Sequence, residues 1–243
     1  MTYTIQALVN GHCQVTEEIT YQGGRRDVLV PFTLYVWWIQ GAERPILVDT
    51  GPRDVEAFNQ ATAAYIIGGV TQSPDEQTPA LLAKWGIDPA DVGHVIITHL
   101  HGDHFNYIGL FPSAKVVVSR RGLPEGYPAD IEDMPSELVL VHRDGRLIAA
   151  GDDQEILPGL RVFWLGCHSP CSQGIAVETT KGTAVLTGDV AYMYRHVEEN
   201  IIINTGDEPP CYAALDRIHR EADIVLPGHD PEIMRRWPGG RIP

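Results

Sequence analysis

Three histidines and an aspartate stand within six residues at His99-Leu100-His101-Gly102-Asp103-His104, directly after the apolar run Val95-Ile96-Ile97. Side chains two apart on an extended segment point the same way, so His99 and His101 can set two imidazoles on one cation where a strand ends. Gly102 lets the backbone turn and directs Asp103 and His104 toward a second cation; imidazole and carboxylate suit zinc, and paired catalytic metals sit ~3.5–4 Å apart. A chance match to this pattern is expected about once in a thousand sequences of such composition. Packing the same groups with no cation would leave them costly to satisfy.

Further ligands must come from elsewhere, and three candidates follow later apolar runs: His168 after Val162-Phe163-Trp164-Leu165, Asp189 after Ala184-Val185-Leu186-Thr187-Gly188, and His229 after Ile224-Val225-Leu226-Pro227-Gly228. Strand-to-loop junctions of this kind can converge on a cleft. A closed structural zinc is the main rival, but it usually takes four ligands, often thiolates, whereas these seven donors include no cysteine. His12, His94, His142, His196 and His219 lack such a context and read as solvated or packed side chains.

The elements that would position these groups are strand-rich. Apolar and aromatic runs predict strands at Tyr3 to Val9, Phe32 to Gln40, Pro45 to Val48, His94 to Thr98, Lys115 to Ser119, Leu138 to Val141, Leu160 to Leu165, Gly174 to Glu178, Thr183 to Thr187 and Ile224 to Leu226. Short polar loops at 41–44 and 180–182 predict antiparallel hairpins. Helices are expected at Thr78 to Trp85, closed by Gly86, and at Cys211 to Arg220. The segments Gly51 to Pro74 and Arg120 to Glu137 read as long loops, such as lids or pocket walls. The fold class is therefore α/β with much antiparallel sheet.

The whole chain sets the outer bounds. Its 243 residues, 44% hydrophobic, suit one domain spanning 1–243 with a sizeable core. A net charge of −14 makes nucleic acid an unsuitable partner. The longest apolar runs are about half of the ~20 residues a membrane helix needs, and the first residues lack the pattern of a leader, so a cytoplasmic protein without membrane contact is expected. Cys13, Cys167, Cys171 and Cys211 show no paired spacing and read as reduced thiols.

The order His-x-His-x-Asp-His, then His168, Asp189 and His229, resembles the metallo-β-lactamase superfamily. Ile46-Leu47-Val48-Asp49-Thr50-Gly51 is similar to that family's early strand and turn, so the resemblance runs from about Ile46 to His229. It implies an αββα sandwich of two mixed, largely antiparallel sheets with the metals at one edge. By the same resemblance His99, His101 and His168 hold the first metal, Asp103, His104 and His229 the second, and Asp189 bridges them. Asp49 is expected to orient a ligand without touching metal. Two zinc ions are favoured, with manganese, iron or cobalt as substitutes.

Two zinc ions sharing a water bring its pKa down toward ~7, which makes hydrolysis by a bridging hydroxide the expected chemistry, with Asp103 carrying the proton to the leaving group. The segment Asp189-Val190-Ala191-Tyr192 resembles the N-acyl-homoserine lactone hydrolases, which open a lactone ring, and implies that Tyr192 contacts the substrate carbonyl, with Tyr194 as a substitute. Phe105, Tyr107, Ile108, Tyr65, Ile66 and Met193 are candidates for an acyl-chain pocket. The chain departs from the family pattern at Cys167 and Cys171, where glycine is usual, and at Phe105-Asn106-Tyr107, where small residues are usual. The expected partner is a small cyclic ester, acted on by a monomer or homodimer. The alternative is hydrolysis of another cyclic amide or ester, or of a thioester as in glyoxalase II, on the same metals.

Overall fold

A computed structural model describes residues 1–205 and 207–243. Its first sheet contains β1 (Thr4–Thr16), β2 (Leu29–Gln40), β3 (Ile46–Val48), β4 (Ile66–Thr71), β5 (His94–Ile96), β6 (Lys115–Ser119), β7 (Leu147–Ala150) and β13 (Arg241–Ile242). The second contains β8 (Asp153–Leu157), β9 (Leu160–Trp164), β10 (Gln173–Thr179), β11 (Gly182–Leu186) and β12 (Ile224–Leu226). The strand orders are β13-β1-β2-β3-β5-β6-β7, with β4 also paired to β1, and β12-β11-β10-β9-β8. Both sheets are mixed: β3, β5, β6 and β7 run parallel, as do β11 and β12, and the other pairs are antiparallel.

Strand alternation explains the layering. Ile46 and Val48 turn inward with Ile5, Trp37 and Ile96, to meet Val162, Ile175, Val177 and Leu186 of the second sheet. Leu47, Val95, Ile97 and Val116 take the other parity and pack outward beneath the helices α3 (Thr78–Lys84) and α5 (Ser136–Arg143). On the far side, Phe163, Ala176 and Val185 receive Ala214, Leu215 and Ile218 of α7 (Glu208–Glu221). Each central strand is covered on both faces, which is why its sequence reads as a continuous apolar run. Shorter helices complete the chain: α1 (Glu17–Thr20), α2 (Val55–Thr62), α4 (Gly102–Phe105), α6 (Tyr194–Glu198) and α8 (Ile233–Arg236). No described helix is long and apolar enough to cross a membrane.

Three expectations are corrected. Leu138 to Val141 is not a strand but the body of α5, where Leu138, Val139 and Val141 are buried and Leu140 is exposed. Pro135 precedes the helix, Glu137 sits in its first turn, His142 and Arg143 in its last, and Gly145 follows at φ 67°; these end signals override the β-propensity of the Leu-Val repeat. The segment from Gly51 to Pro74 is not a structureless loop, because it contains α2 and β4. The Asp54 side chain accepts from Ala57 N–H to start α2, and the Asn59 amide ties that helix to β4 by bonding both N–H and C=O of Val70. Finally, Cys167 and Cys211 are not reduced thiols: they form a disulfide across 44 residues. Cys13 and Cys171 are free and buried.

Candidate metal centre

Strand β5 ends at Ile96, and the chain after it crosses the rim of the first sheet, so Thr98 and His99 leave the ladder with their side chains buried. Gly102 opens the one-turn helix α4, which carries Asp103 and His104 away from the line of His99 and His101. His168 comes from the loop after β9, Asp189 from the turn after β11 and His229 from the turn after β12. Two close approaches bring the last two in. Gly188 has φ 51°, and a Cβ there would lie 2.8 Å from Thr98; a Cβ on Gly228 would lie 2.7 Å from the Gly188 carbonyl oxygen.

All seven expected residues converge. His99, His101, His168 and Asp189 each offer a donor atom within a 4.8 Å cluster, and Asp103, His104 and His229 form a second such cluster. Asp189 serves both: Oδ2 lies 3.6 Å from His99 Nε2 and 3.4 Å from His168 Nε2, while Oδ1 lies 3.3 Å from His104 Nε2 and 3.0 Å from His229 Nε2. Four of the imidazole nitrogens therefore crowd one carboxylate. Within the first group His101 Nδ1 is 2.9 Å from His168 Nε2, so the two rings present lone pairs to a common point.

The surroundings fix the tautomers. Asp49, buried at φ 59°, accepts from Thr98 N–H, from Thr98 Oγ1–H and from His104 Nδ1, each at 2.8 Å. His104 Nδ1 thus carries a proton held by Asp49, and Nε2 is the atom turned to the cluster. Burial opposes a charge on this ring, yet Asp103, Asp189 and Asp49 push its pKa far up, so without a cation Nε2 is protonated as well, and a cation takes the place of that proton. His229 Nδ1 is likewise 3.2 Å from the Thr33 carbonyl, and its ring stacks on Phe32. His99 Nε2, His104 Nε2 and Asp189 Oδ1 are buried and have no hydrogen-bond partner. Buried polar atoms are normally satisfied. Nitrogen and oxygen donors gathered with no protein partner are what a divalent cation requires, so this donor set fits a metal site.

Protonation follows the same geometry. Burial, reinforced by His104, holds His99 far below the usual imidazole range, and burial brings His168 down to about 4, so both are neutral donors. Burial opposes the charge of Asp189, yet His229 and His104 outweigh it and keep the carboxyl well below its ordinary range. Burial, with Asp189 and Asp103, pushes the Tyr192 phenol far up, so it stays protonated.

Tyr192 lies against the first group with its hydroxyl 3.1 Å from His168 Nδ1. In the tautomer that leaves His168 Nε2 for a cation, Nδ1–H donates to the phenol oxygen and the phenol proton is free to point elsewhere. Tyr194 does not substitute for it: that side chain is buried in the inter-sheet core with Arg236 over its ring. Behind Tyr192, His196 is buried, donates Nδ1–H to the Ile201 carbonyl at 2.7 Å and leaves Nε2 unpartnered. Burial brings its pKa from 6.5 down to about 4. An unfolded chain therefore takes up this proton before the native one does, and stability falls as pH drops from 6.5 toward 4, by about 2 kcal/mol at pH 5. The unfolding free energy of His196→Gln from urea titration should fall by about that much less than that of wild type between pH 7 and pH 5; equal losses would contradict it.

A cavity of about 810 Å³ opens onto both groups, and His101, Asp103, His168, Asp189, Tyr192 and His229 reach its surface. Its walls are mostly apolar: Val15, Ile19, Phe32 and Leu34 from the first sheet and the α1 turn, Ala57, Phe58, Ala61, Tyr65 and Ile66 from the segment containing α2. Tyr65 and Ile66 were expected there. Phe105 and Ile108 instead fill the core under the first sheet, Met193 packs beneath α7, and Tyr107 is not among the lining residues. The wall residues that sequence reasoning missed come from alternate positions of β1 and β2 and from one face of α2, a helix the sequence did not reveal. The segment from Arg120 to Glu137 contributes only Glu137. Cys171 stays outside the cavity and accepts from Leu100 N–H at 3.4 Å, between His99 and His101.

The family model of the Metallo-beta-lactamase superfamily matches residues 30–229. An N-acyl homoserine lactonase, AttM of Azorhizobium caulinodans, is 33% identical over 251 residues, 93% of this chain and 90% of the relative. An N-acyl homoserine lactonase of Bacillus thuringiensis is 25% identical over 233 residues, 91% of each chain. Among solved structures, an N-acyl homoserine lactone hydrolase with N-hexanoyl-L-homoserine bound at its catalytic metal center superposes with a TM-score of 0.80 at 24% identity, covering 97% of both chains.

Proposed function

From the premise that this chain belongs to the metallo-beta-lactamase superfamily and is a metal-dependent hydrolase, we propose that it opens the ring of a lactone bearing an acyl chain, with N-acyl-homoserine lactones as the substrate class. The observation that carries this reading is a largely apolar cavity of about 810 Å³ ending on a polar cluster with spare lone pairs. An acyl chain suits the walls, and a small polar ring suits the floor. The lactonase relatives support the same substrate.

The ligands in this proposal are His99, His101 and His168 for one cation, Asp103, His104 and His229 for the other, and Asp189 between them. Bound there, two divalent cations, zinc first among them, supply Lewis acidity toward the ring carbonyl and a water acidic enough to attack at neutral pH. The chain's own residues supply the rest. Asp103 accepts the proton of the attacking water and returns it to the ring oxygen as the acyl–oxygen bond breaks, giving the ring-opened hydroxy acid. Tyr192, whose oxygen accepts from His168, donates its hydroxyl proton to the carbonyl oxygen as negative charge develops there. The Phe58 and Ile66 wall shields the acyl chain from water.

Titration of released acid over lactones of varied ring and acyl length should show turnover that is lost on chelation and restored by zinc, with two metals per chain by elemental analysis. A protein loaded with two metals that turns over no cyclic ester would refute the lactonase reading. One or no bound metal would refute the paired centre.

A further inference from the structure

Gly166 and Cys167 take consecutive left-handed conformations, at φ 64° and 65°, directly before His168. Glycine adopts that region readily, and a residue with a Cβ does so at a cost. The hydrogen bonds of the loop do not hold the second of these residues. Gly166 N–H reaches the Ser172 carbonyl at 3.0 Å and Ser169 N–H reaches Ser172 Oγ at 3.1 Å. Between them, neither Cys167 nor His168 N–H finds an acceptor among the described residues. What does hold Cys167 is covalent: its sulfur is bonded to Cys211 in the first turn of α7, with the two Cα atoms 4.7 Å apart. Cys211 is buried, and α7 is seated on the second sheet through Ala214, Leu215 and Ile218. The cross-link therefore ties the backbone that aims His168 to a rigid helix.

We propose that the Cys167–Cys211 disulfide is a positioning device for His168, so that cation retention at the His99–His101–His168 group depends on the redox state of this pair. The proposal rests on the metal centre inferred above. Oxidised, the bond holds Cys167 in the left-handed region and keeps His168 Nε2 beside His101 Nδ1. Reduction by two electrons gives two thiols, frees a Cβ-bearing residue from a conformation it disfavours, and lets His168 swing from the cluster. With a phosphine as reductant the balance is complete: the disulfide gains two electrons and two protons, and the phosphine becomes its oxide with oxygen taken from water. Disulfides persist in oxidising compartments and are short-lived in a reducing cytosol, so this dependence would also report where the protein works.

Two substitutions at one position separate this role from that of a plain staple. Cys167→Ala and Cys167→Gly both abolish the bond, but only alanine keeps a Cβ at φ 65°. Cobalt affinity by competition with a chromophoric chelator, and the cobalt absorption that reports nitrogen ligation, are measured for both and for wild type. Cys167→Ala should bind its weaker cobalt about 5- to 30-fold less tightly, while Cys167→Gly should stay within about threefold of wild type. Alanine and glycine variants that are equally weak, or an alanine variant that matches wild type, would overturn the proposal.

Should Cys167→Ala fail to fold, wild type treated with a phosphine decides. Denatured protein should show two free thiols before reduction and four after, and cobalt ligation should fade as the new thiols appear; four thiols with an unchanged cobalt spectrum would overturn the proposal. Wild type that binds no cobalt at all would instead remove the metal centre on which the proposal stands.

Discussion

Asp103→Asn should lower lactone turnover by about 10²- to 10⁴-fold at saturating metal, the usual loss when a positioned proton carrier is removed. Asp103 has the geometry for that work: it faces the cavity, and its Oδ2 lies 3.5 Å from His104 Nε2. Burial opposes its charge, yet His104, with His229, keeps the carboxyl below its ordinary range, so it is ionised and ready to accept a proton. Asparagine has the same shape and cannot take that proton. Because Asp103 also belongs to the proposed second cation group, metal content is measured alongside kcat. A variant that holds two metals and still turns over within tenfold of wild type would exclude Asp103 as the carrier.

The second large effect is expected at a residue outside the cation cluster. Asp49→Asn should weaken metal binding about 10- to 100-fold and lower the stability of the metal-free protein by about 1.5–3 kcal/mol. The reason is one oxygen. Oδ1 accepts from Thr98 N–H, whereas Oδ2 accepts from both Thr98 Oγ1 and His104 Nδ1. Asparagine can keep the first bond with its carbonyl, but it then turns an N–H₂ group toward His104 Nδ1–H. Relief comes from moving the imidazole proton to Nε2, which removes the lone pair needed by a cation. Asparagine also tolerates the left-handed backbone found at this position, so the change tests the carboxylate and not the turn. Unchanged metal affinity by chelator competition would show that Asp49 does not set the His104 tautomer.

These residues were not equally legible in the sequence. The cluster at 99–104 is visible because four donors occur in six residues, and a strand end followed by a glycine turn splits them between two directions whatever the rest of the chain does. His168, Asp189 and His229 each stand at the end of an apolar run, which marks a strand end, but only the family's order of residues singles them out. Asp49 follows a recognisable strand-and-turn motif; its three bonds depend on β3 and β5 lying side by side. Most wall residues of the cavity were invisible, since Phe58 and Ala61 belong to a helix set by the Asp54 cap and the Asn59 clamp within a stretch rich in turn residues.

The sequence by itself determined the chemistry of the donors and most of the strand-forming runs of a mixed α/β fold, because these follow from stereochemistry over a few residues; the layered sandwich was implied only by the family resemblance. It could not determine which distant groups meet. The placing of Asp189 between two clusters, the Asp49 bond to His104 and the bond between Cys167 and Cys211 arise from sheet order and from the seating of α7. Each is a contact between segments far apart in the chain. Such contacts are fixed only once the packed core has chosen a single arrangement of all its layers.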